Sequence, residues 1–192
     1  MTDQLVPTEL RAADLLLRPW RPDSTSDAEA VLRGFTDPEF QRWNTPQQPI
    51  ETFADAQAML QRQAQRWMRG EQASYCVTDA ASGAVLGHVS LNSIQPPTRS
   101  AAVGYWVLPE ARGRGVAPRA LELISTWGFG TAGLHRIELD HAVGHELSCR
   151  VAKRCGYLYE GTLRGAMFES NNRNAFRDAH LHARLAGDGP AS

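Results

Sequence analysis

One hexapeptide, Arg112-Gly113-Arg114-Gly115-Val116-Ala117, separates a predicted strand from a predicted helix. The apolar residues 103–108 precede it, and residues 118–129 after it are amphipathic at helical spacing. The first turn of a helix leaves its backbone N–H groups unpaired, and the aligned peptide dipoles make that end partly positive. Glycine at 113 and 115 removes side chains that would hold an anion away from the backbone. The hexapeptide therefore predicts a binding site for a phosphorylated ligand.

Length and composition are typical of an ordinary globular domain. The 192 residues suffice for one substantial core, and we expect a domain over 13–186 between a leader (1–12) and a tail (187–192). A net charge of −1 argues against bulk nucleic-acid binding. The apolar run Leu15-Leu16-Leu17 is too short for a signal peptide or a membrane span. We therefore expect neither nucleic acid nor a membrane as partner.

The cysteines and histidines show no metal-ligand spacing. Cys76, Cys149 and Cys155 contain no CxxC pair, and the six histidines contain no HExxH motif. An odd number of cysteines also argues against a disulfide framework and favours a reducing compartment. These patterns predict a cytoplasmic protein without a metal site.

Hydrophobic spacing predicts the element order β-α-α-β-β-β-α-β-α-β-β, which is typical of an α/β chain with a mixed sheet. Helix caps are expected at residues 24–27 and at Thr52, and the helix from Thr52 should end at Gly70. Residues 91–100 contain Pro96-Pro97 and are predicted to form a loop. The predicted strands cover residues 15–21, 74–79, 84–90, 100–108, 136–143, 157–168 and 175–185.

These motifs resemble the GNAT superfamily of acyl-CoA-dependent N-acyltransferases, over about residues 12–186. The hexapeptide fits the family's Gln/Arg-x-x-Gly-x-Gly/Ala signature, and residues 145–148 and 153–157 resemble its Asn-x-x-Ser and Lys-x-x-Gly-Phe. Both ends of the chain resemble the RimJ/RimL branch, which acetylates the N-termini of ribosomal proteins. Three residues depart from the family pattern: His145 for asparagine, Tyr157 for phenylalanine and Pro118 for a more usual polar residue.

The resemblance implies a fold and a co-substrate. The fold is a central mixed, mostly antiparallel sheet of about seven strands, splayed between strands four and five and flanked by about four helices. The co-substrate is acetyl-CoA, with its pyrophosphate on the glycine turn and its pantetheine arm along the preceding strand end, where an extended amide chain can pair. The residues implied in binding are Trp106, Val107, Leu108, Arg112, Gly113, Arg114, Gly115, Val116, Ala117, Pro118, His145 and Ser148.

Three residues are candidates for catalysis. Acetyl transfer to an amine requires a neutral amine, a stabilised oxyanion and a proton for the departing thiolate. By the resemblance, Ser148 lies near the thioester and could protonate the thiolate, although a serine at a helix start also commonly caps it. His145 could act as a base or serve a structural role. Some relatives carry a carboxylate at the position of Met167. Glu169 lies two residues after Met167 and would share its strand face.

The absence of a compelling base favours an acceptor of low pKa. Neutralising a lysine side chain at pH 7 costs about 3.5 kcal/mol more than neutralising an α-amine. A protein or peptide N-terminus is therefore the favoured acceptor. A small amine (antibiotic, polyamine or amino-acid derivative), succinyl transfer, and a CoA-binding module without catalysis remain alternatives. Residues 27–69 and 91–99, which would contact the acceptor, carry no motif, and the chain is expected to be a monomer or homodimer.

Overall fold

The computed structural model describes residues 6–188; the first five residues of the expected leader and the last four of the expected tail lie outside them. Eight strands, five α-helices and one 3₁₀ turn, Pro109–Ala111, lie within this range. In chain order they are β1 Leu10–Ala12, β2 Leu15–Pro19, α1 Thr25–Thr36, α2 Pro38–Trp43, α3 Phe53–Met68, β3 Ala73–Asp79, β4 Val85–Gln95, β5 Ser100–Val107, α4 Val116–Gly130, β6 Arg136–Ala142, α5 Glu146–Arg154, β7 Leu158–Glu169 and β8 Asn172–Leu185.

All eight strands form one sheet in the order β1-β2-β3-β4-β5-β6-β8-β7. Only β5 and β6, the fourth and fifth of the predicted strands, are parallel neighbours; the other pairs are antiparallel. They pair from Ser100 to Ala102 only, although β5 continues to Val107. The mixed, mostly antiparallel sheet with a splay at this junction is therefore confirmed. The described part adds one short strand, β1, within the expected leader.

Local capping explains where the first and third helices begin. Ser24 accepts a hydrogen bond from the backbone N–H of Asp27 at the start of α1. Thr52 and Asp55 form a reciprocal capping box at the start of α3. Both caps were predicted from the sequence, and α3 ends within two residues of its predicted end at Gly70.

The main core lies between α4 and the sheet. Leu121 and Ile124 of α4 are fully buried among residues of β3, β4 and β6, in one cluster with Ile137 and Leu139. Burying a large aliphatic side chain contributes about 1.5–3 kcal/mol, so this face of α4 fixes the helix on the sheet. The N-terminus of α4 is thereby held at the end of β5.

Besides β1, two elements differ from the sequence prediction. Residues 91–95, predicted as a loop, extend β4 because Leu91 is fully buried and pairs with Val103. Helix α2 was not predicted; Asp37 caps it by accepting from the Phe40 N–H, and Pro38 is its first residue. Six residues are too few to show helical periodicity. No helix among residues 6–188 has the length and apolarity needed to cross a lipid bilayer.

Candidate active site

The glycine turn presents a row of free backbone donors. Gly113 and Gly115 have φ of +74° and +68°, left-handed values that other residues avoid. Gly115 is the N-cap of α4 and brings no side chain to cap it. Within residues 6–188, the N–H groups of residues 113–117 donate to no protein acceptor, and Arg119 makes the first helical bond, to Gly115. Five successive free N–H groups at a helix N-terminus form a site for an anion.

Arginines on either side hold this turn in place. The Arg112 guanidinium pairs with Asp37 and donates to the Val107 carbonyl at 3.2 Å, which joins the turn to β5 and to the start of α2. Arg119 folds back over the helix start and donates to the carbonyls of Gly115 and Arg114. The turn is therefore anchored through its carbonyls and flanking side chains, while its N–H groups stay open.

Pro118, one of the departures from the family pattern, is the third residue of α4. A proline here removes one donor from the helix start but breaks no helical bond. Its carbonyl accepts from the Cys155 thiol at 3.3 Å, which ties α4 to the end of α5. Pro118 therefore removes only one N–H donor, and this donor lies beyond the row of five at residues 113–117.

The end of β5 borders the same cleft with an unpaired edge. Beyond Ala102 it has no pairing with β6, so no strand within residues 6–188 pairs with it on that side, and only the Val107 carbonyl is engaged there, by Arg112. Trp106 and Val107 line the cleft, and Trp106 also packs on Trp20 and Phe35. Leu108 is only 1% exposed and does not line it, so its side chain belongs to the core.

Tyr105 and Ser148 meet at this splay. The Tyr105 hydroxyl lies 2.7 Å from the Ser148 hydroxyl across the gap between β5 and α5. Ser148 is 7% exposed and does not line the cleft, whereas Tyr105 does. Burial raises the pKa of Tyr105 to about 12, so its hydroxyl keeps its proton at neutral pH. The sequence prediction named Ser148, and the structure adds Tyr105 as the group in front of it.

His145 stands at the start of α5 and lines the cleft without capping the helix through its side chain. Its ring stacks on Trp43, with centroids 4.6 Å apart and planes 3° from parallel. Burial, and then the neighbouring His141, lower the pKa of His145 to about 4. The ring is therefore neutral at physiological pH and a weak base.

Glu169 lies away from these groups, at the end of β7. Its carboxylate accepts from the Ser170 N–H at 2.8 Å and lies 3.5 Å from Arg177. Its side chain is about half exposed and is not among the described residues that line the cleft. These contacts lend no support to the role of base that the sequence suggested.

The unpredicted helix α2 supplies the opposite side of the cleft. Glu39, Trp43 and Asn44 line it, and Glu39 accepts from the Trp43 indole N–H at 2.8 Å. Glu39 is the one carboxylate lining the cleft among residues 6–188. The sequence signal for this helix was the pair Asp37-Pro38, an N-cap followed by proline at the first helical position.

The cleft as a whole encloses about 260 Å³. We call its two sides the turn wall (Trp106, Val107 and residues 113–117) and the α2 wall (Glu39, Trp43 and Asn44). Tyr105 also lines the cleft, and its hydroxyl contacts that of Ser148, which does not line it. The cleft thus combines an anion-binding row, an open strand edge and a protonated hydroxyl.

Comparison with known proteins agrees with this geometry. The sequence model of the family "Acetyltransferase (GNAT) domain" matches residues 14–158. The chain is 34% identical to the "Putative ribosomal N-acetyltransferase YdaF" of Bacillus subtilis over 45% of this chain and 47% of that protein. It is 31% identical to the ribosomal-protein-serine acetyltransferase of Escherichia coli over 53% of this chain and 55% of that protein. The chain thus spans about half the length of these two curated relatives.

Two solved structures share the fold over nearly the whole chain. RimL, a ribosomal L7/L12 alpha-N-protein acetyltransferase in complex with coenzyme A, has a TM-score of 0.82 at 20% identity, covering 93% of this chain and 98% of that one. RimJ of Mycobacterium smegmatis, in complex with CoA-disulfide, has a TM-score of 0.79 at 24% identity. The match covers 94% of this chain and 87% of that one. At such identities the likeness concerns the fold.

Proposed function

Because this chain belongs to the GNAT acetyltransferase family, we propose that it transfers an acetyl group from acetyl-CoA to the N-terminal α-amine of a protein or peptide. The observation that carries the proposal is the row of free N–H groups at residues 113–117 on the same cleft as the hydroxyl of Tyr105. The similarity to ribosomal-protein acetyltransferases supports a protein acceptor.

The turn wall is the proposed site of the acetyl-CoA substrate. The N–H groups of residues 113–117 would receive its pyrophosphate, since hydrogen bonds to a charged acceptor are the strongest the backbone makes. The open edge of β5 at Trp106 and Val107 would pair with the amide-bearing arm. Arg112 acts indirectly in this scheme, because its charge is engaged by Asp37.

Tyr105 and Ser148 are the proposed partners of the sulfur. In the reaction the amine nitrogen bonds to the thioester carbonyl carbon, the C–S bond breaks, and the proton lost by nitrogen ends on the thiolate. A hydroxyl with a pKa of about 12 is a poor proton donor to a thiolate, whose acid has a pKa near 8.5 in the reference cysteine. Tyr105 therefore acts by donating a hydrogen bond to the developing charge, and Ser148 positions it.

The α2 wall is the proposed site of the amine. The carboxylate of Glu39 would attract an ammonium group, and the neutral ring of His145 would accept a hydrogen bond from it. Neither group is a strong base. An α-amine, with a reference pKa of about 7.8, needs no stronger one at neutral pH, whereas lysine at about 10.4 does.

The compartment, the oligomeric state, the domain bounds and the acyl group complete the proposal. The three free cysteines suit a reducing cytoplasm, and the protein would act as a monomer or homodimer. The domain over 13–186 would hold the whole site. The transferred acyl group would be acetyl, with succinyl as the alternative.

Release of free CoA thiol from acetyl-CoA tests the proposal. The acceptors are a peptide with a free N-terminus, the same peptide N-terminally blocked but carrying lysine, and a polyamine. We expect the largest kcat/KM for the free N-terminus at pH 7. A preference for lysine or the polyamine would reject the α-amine acceptor. Tight CoA binding without release on any amine would instead favour a CoA-binding module without catalysis.

A further inference from the structure

Two histidines and a cysteine form a largely buried cluster between β6, β8 and α5. His141 of β6 and His182 of β8 are 4% and 0% exposed, and Cys149 of α5 is half-buried. One ring nitrogen of each histidine and the Cys149 Sγ all lie within 4.8 Å of one another, and the two Nε2 atoms are 3.3 Å apart. The three residues come from different elements, so no short sequence motif connects them. The proposed acetyl transfer uses none of them.

The hydrogen bonds of the two rings fix which nitrogens carry protons. His141 Nδ1 lies 3.0 Å from the Ala142 carbonyl oxygen, and His182 Nδ1 lies 3.3 Å from that of Tyr157. A carbonyl oxygen only accepts, so each Nδ1 must be the donor. In the neutral rings both Nε2 atoms therefore carry bare lone pairs, and these face each other at 3.3 Å. Two such lone pairs repel unless a positive charge lies between them.

Burial favours a metal ion over a proton as the positive charge between the two rings. It lowers the pKa of both His141 and His182, which disfavours a protonated ring here and leaves both as neutral ligands. A metal ion would be coordinated by both lone pairs, and the Cys149 thiolate would offset part of the charge of the ion. An Nδ1–H bond to a backbone carbonyl is also the arrangement that orients histidines which ligate metals through Nε2.

The separation of the two imidazole nitrogens matches a tetrahedral ion. Two Zn–N bonds of about 2.0–2.1 Å at the tetrahedral angle hold their nitrogens about 3.3–3.4 Å apart, and the observed separation is 3.3 Å. Thiolate and imidazole together select soft or borderline ions such as Zn²⁺ rather than Mg²⁺ or Ca²⁺. We propose that His141 Nε2, His182 Nε2 and Cys149 Sγ form a binding site for Zn²⁺, with the fourth position left to water or another ligand.

This site would revise the expectation, drawn from sequence spacing, that the chain holds no metal. It also lies beside the cleft, since Cys149 directly follows Ser148 in α5. An ion there would join β6, β8 and α5, and so would fix the helix that carries Ser148.

Cobalt and zinc titrations of the reduced full-length chain, stripped with a chelator, test the site. Co²⁺ should bind one per chain and give the thiolate-to-metal charge-transfer band and the intense visible bands of a tetrahedral site, and Zn²⁺ should abolish both. Cys149→Ser should remove the charge-transfer band and weaken Zn²⁺ binding by more than the ~10–100-fold that loss of an outer-shell partner costs. Cys155→Ser, which changes a thiol outside the cluster, should bind Zn²⁺ within twofold of the wild type.

A second pair of variants makes the test independent of the cysteine. His182→Gln should weaken Zn²⁺ binding as strongly as Cys149→Ser, and the exposed His135→Gln should leave it unchanged. If His182→Gln fails to fold, His141→Gln replaces it, and the Cys149→Ser result stands alone if both fail. The proposal is overturned if the wild type shows no saturable binding, or if Cys149→Ser binds Zn²⁺ as tightly as the wild type. A shared Nε2–H proton between the rings, seen by NMR with excess Zn²⁺ present, would also overturn it.

Discussion

The two walls of the cleft differ in the groups that they present to a ligand. The turn wall presents backbone N–H groups from residues 113–117 and the open edge of β5, both set by regular elements packed on the core. The α2 wall presents side chains, and long-range bonds from the β7–β8 hairpin hold it. Arg177 donates to the carbonyls of Arg42 and Trp43, and Ser170 donates to that of Gln41.

This difference separates binding of the donor from choice of the acceptor. A backbone site changes only when the chain path changes, so many side-chain substitutions leave the turn wall intact. A side-chain site changes with any residue of α2 or of the hairpin that supports it. The turn wall should therefore be sensitive to few positions and the α2 wall to many.

The largest effect is expected where the two walls meet. Tyr105→Phe removes the hydroxyl proposed to face the leaving sulfur, and loss of one such donor costs about 10²–10³-fold in kcat. KM for acetyl-CoA should change little, because the proposed phosphate site is the turn at residues 113–117. Steady-state thiol release at saturating acceptor measures both parameters.

Tyr157→Phe is the matched control for this prediction. Its hydroxyl lies 2.7 Å from that of Ser125, the same separation as in the Tyr105–Ser148 pair, but in the core. The control should lose about 0.5–1.5 kcal/mol of stability and keep its kcat. Equal kcat losses in both variants would mean that the Tyr105 hydroxyl is structural only.

The turn wall gives the next largest effect. Gly115→Ala adds a Cβ that meets no protein atom within 4 Å, so the methyl group enters the space proposed for the phosphates. Loss of one hydrogen bond to a charged group costs about 1.5–3 kcal/mol, or roughly 10–100-fold in acetyl-CoA affinity. Calorimetric titration with CoA measures this change directly.

Gly133→Ala separates strain from binding. Gly133 has φ of +66° against +68° for Gly115, and its added Cβ also meets nothing within 4 Å, but it lies past the other end of α4. Both variants should lose about 1–2 kcal/mol of stability, because each forces a Cβ into the left-handed region. Only Gly115→Ala should lose CoA affinity; a similar loss in Gly133→Ala would attribute the effect to strain.

The same difference between the walls explains what the sequence could predict. The turn at residues 112–117 is a local feature, since positive φ requires glycine and a helix start requires no partner elsewhere in the chain. Its position and the caps at Ser24 and Thr52 were predicted from such local patterns, and the splay of the sheet from the resemblance to the family. Leu91 shows the limit of local patterns: its burial against α4 continues β4 through a segment that the two prolines had marked as a loop.

The α2 wall depends on contacts that no local pattern records. Trp43 is held by Arg177, more than a hundred residues later, and His145 stacks on it across the cleft. Glu39 entered no prediction because its helix is too short to show periodicity. The pairing of Tyr105 with Ser148 likewise required the distance between β5 and α5, which only the folded chain provides.

A smaller effect is expected from the support of the α2 wall. Arg177→Met leaves the carbonyls of Arg42 and Trp43 without their donor and frees this segment to move. We expect KM for the acceptor to rise about fivefold. This change corresponds to the net contribution of one hydrogen bond, about 1 kcal/mol. CoA affinity should stay within twofold. Arg164→Met, an exposed position on β7 of the same hairpin, is the control and should change neither.

The smallest effect concerns His145, which touches both α5 and the α2 wall. Its pKa in the folded chain, about 4, lies below the unfolded value near 6.5, so the folded state binds fewer protons between these values. Its contribution to stability is therefore full above pH 6.5 and is lost as the pH falls toward 4. Because the ring is partly exposed, solvent screening keeps the loss between pH 7.5 and 5 below about 1 kcal/mol.

Urea denaturation at pH 7.5 and at pH 5 measures this loss. His145→Gln should weaken the pH dependence of unfolding relative to the wild type, whereas His135→Gln, an exposed position, should not. Other buried histidines keep part of the dependence in every variant, so the difference between variants is the quantity that counts. If His145→Gln and the wild type lose the same free energy between the two pH values, burial in the cleft does not hold the ring neutral. His145 would then be a titrating group next to the α2 wall and the amine, and the pH profile of kcat/KM would have to show its inflection.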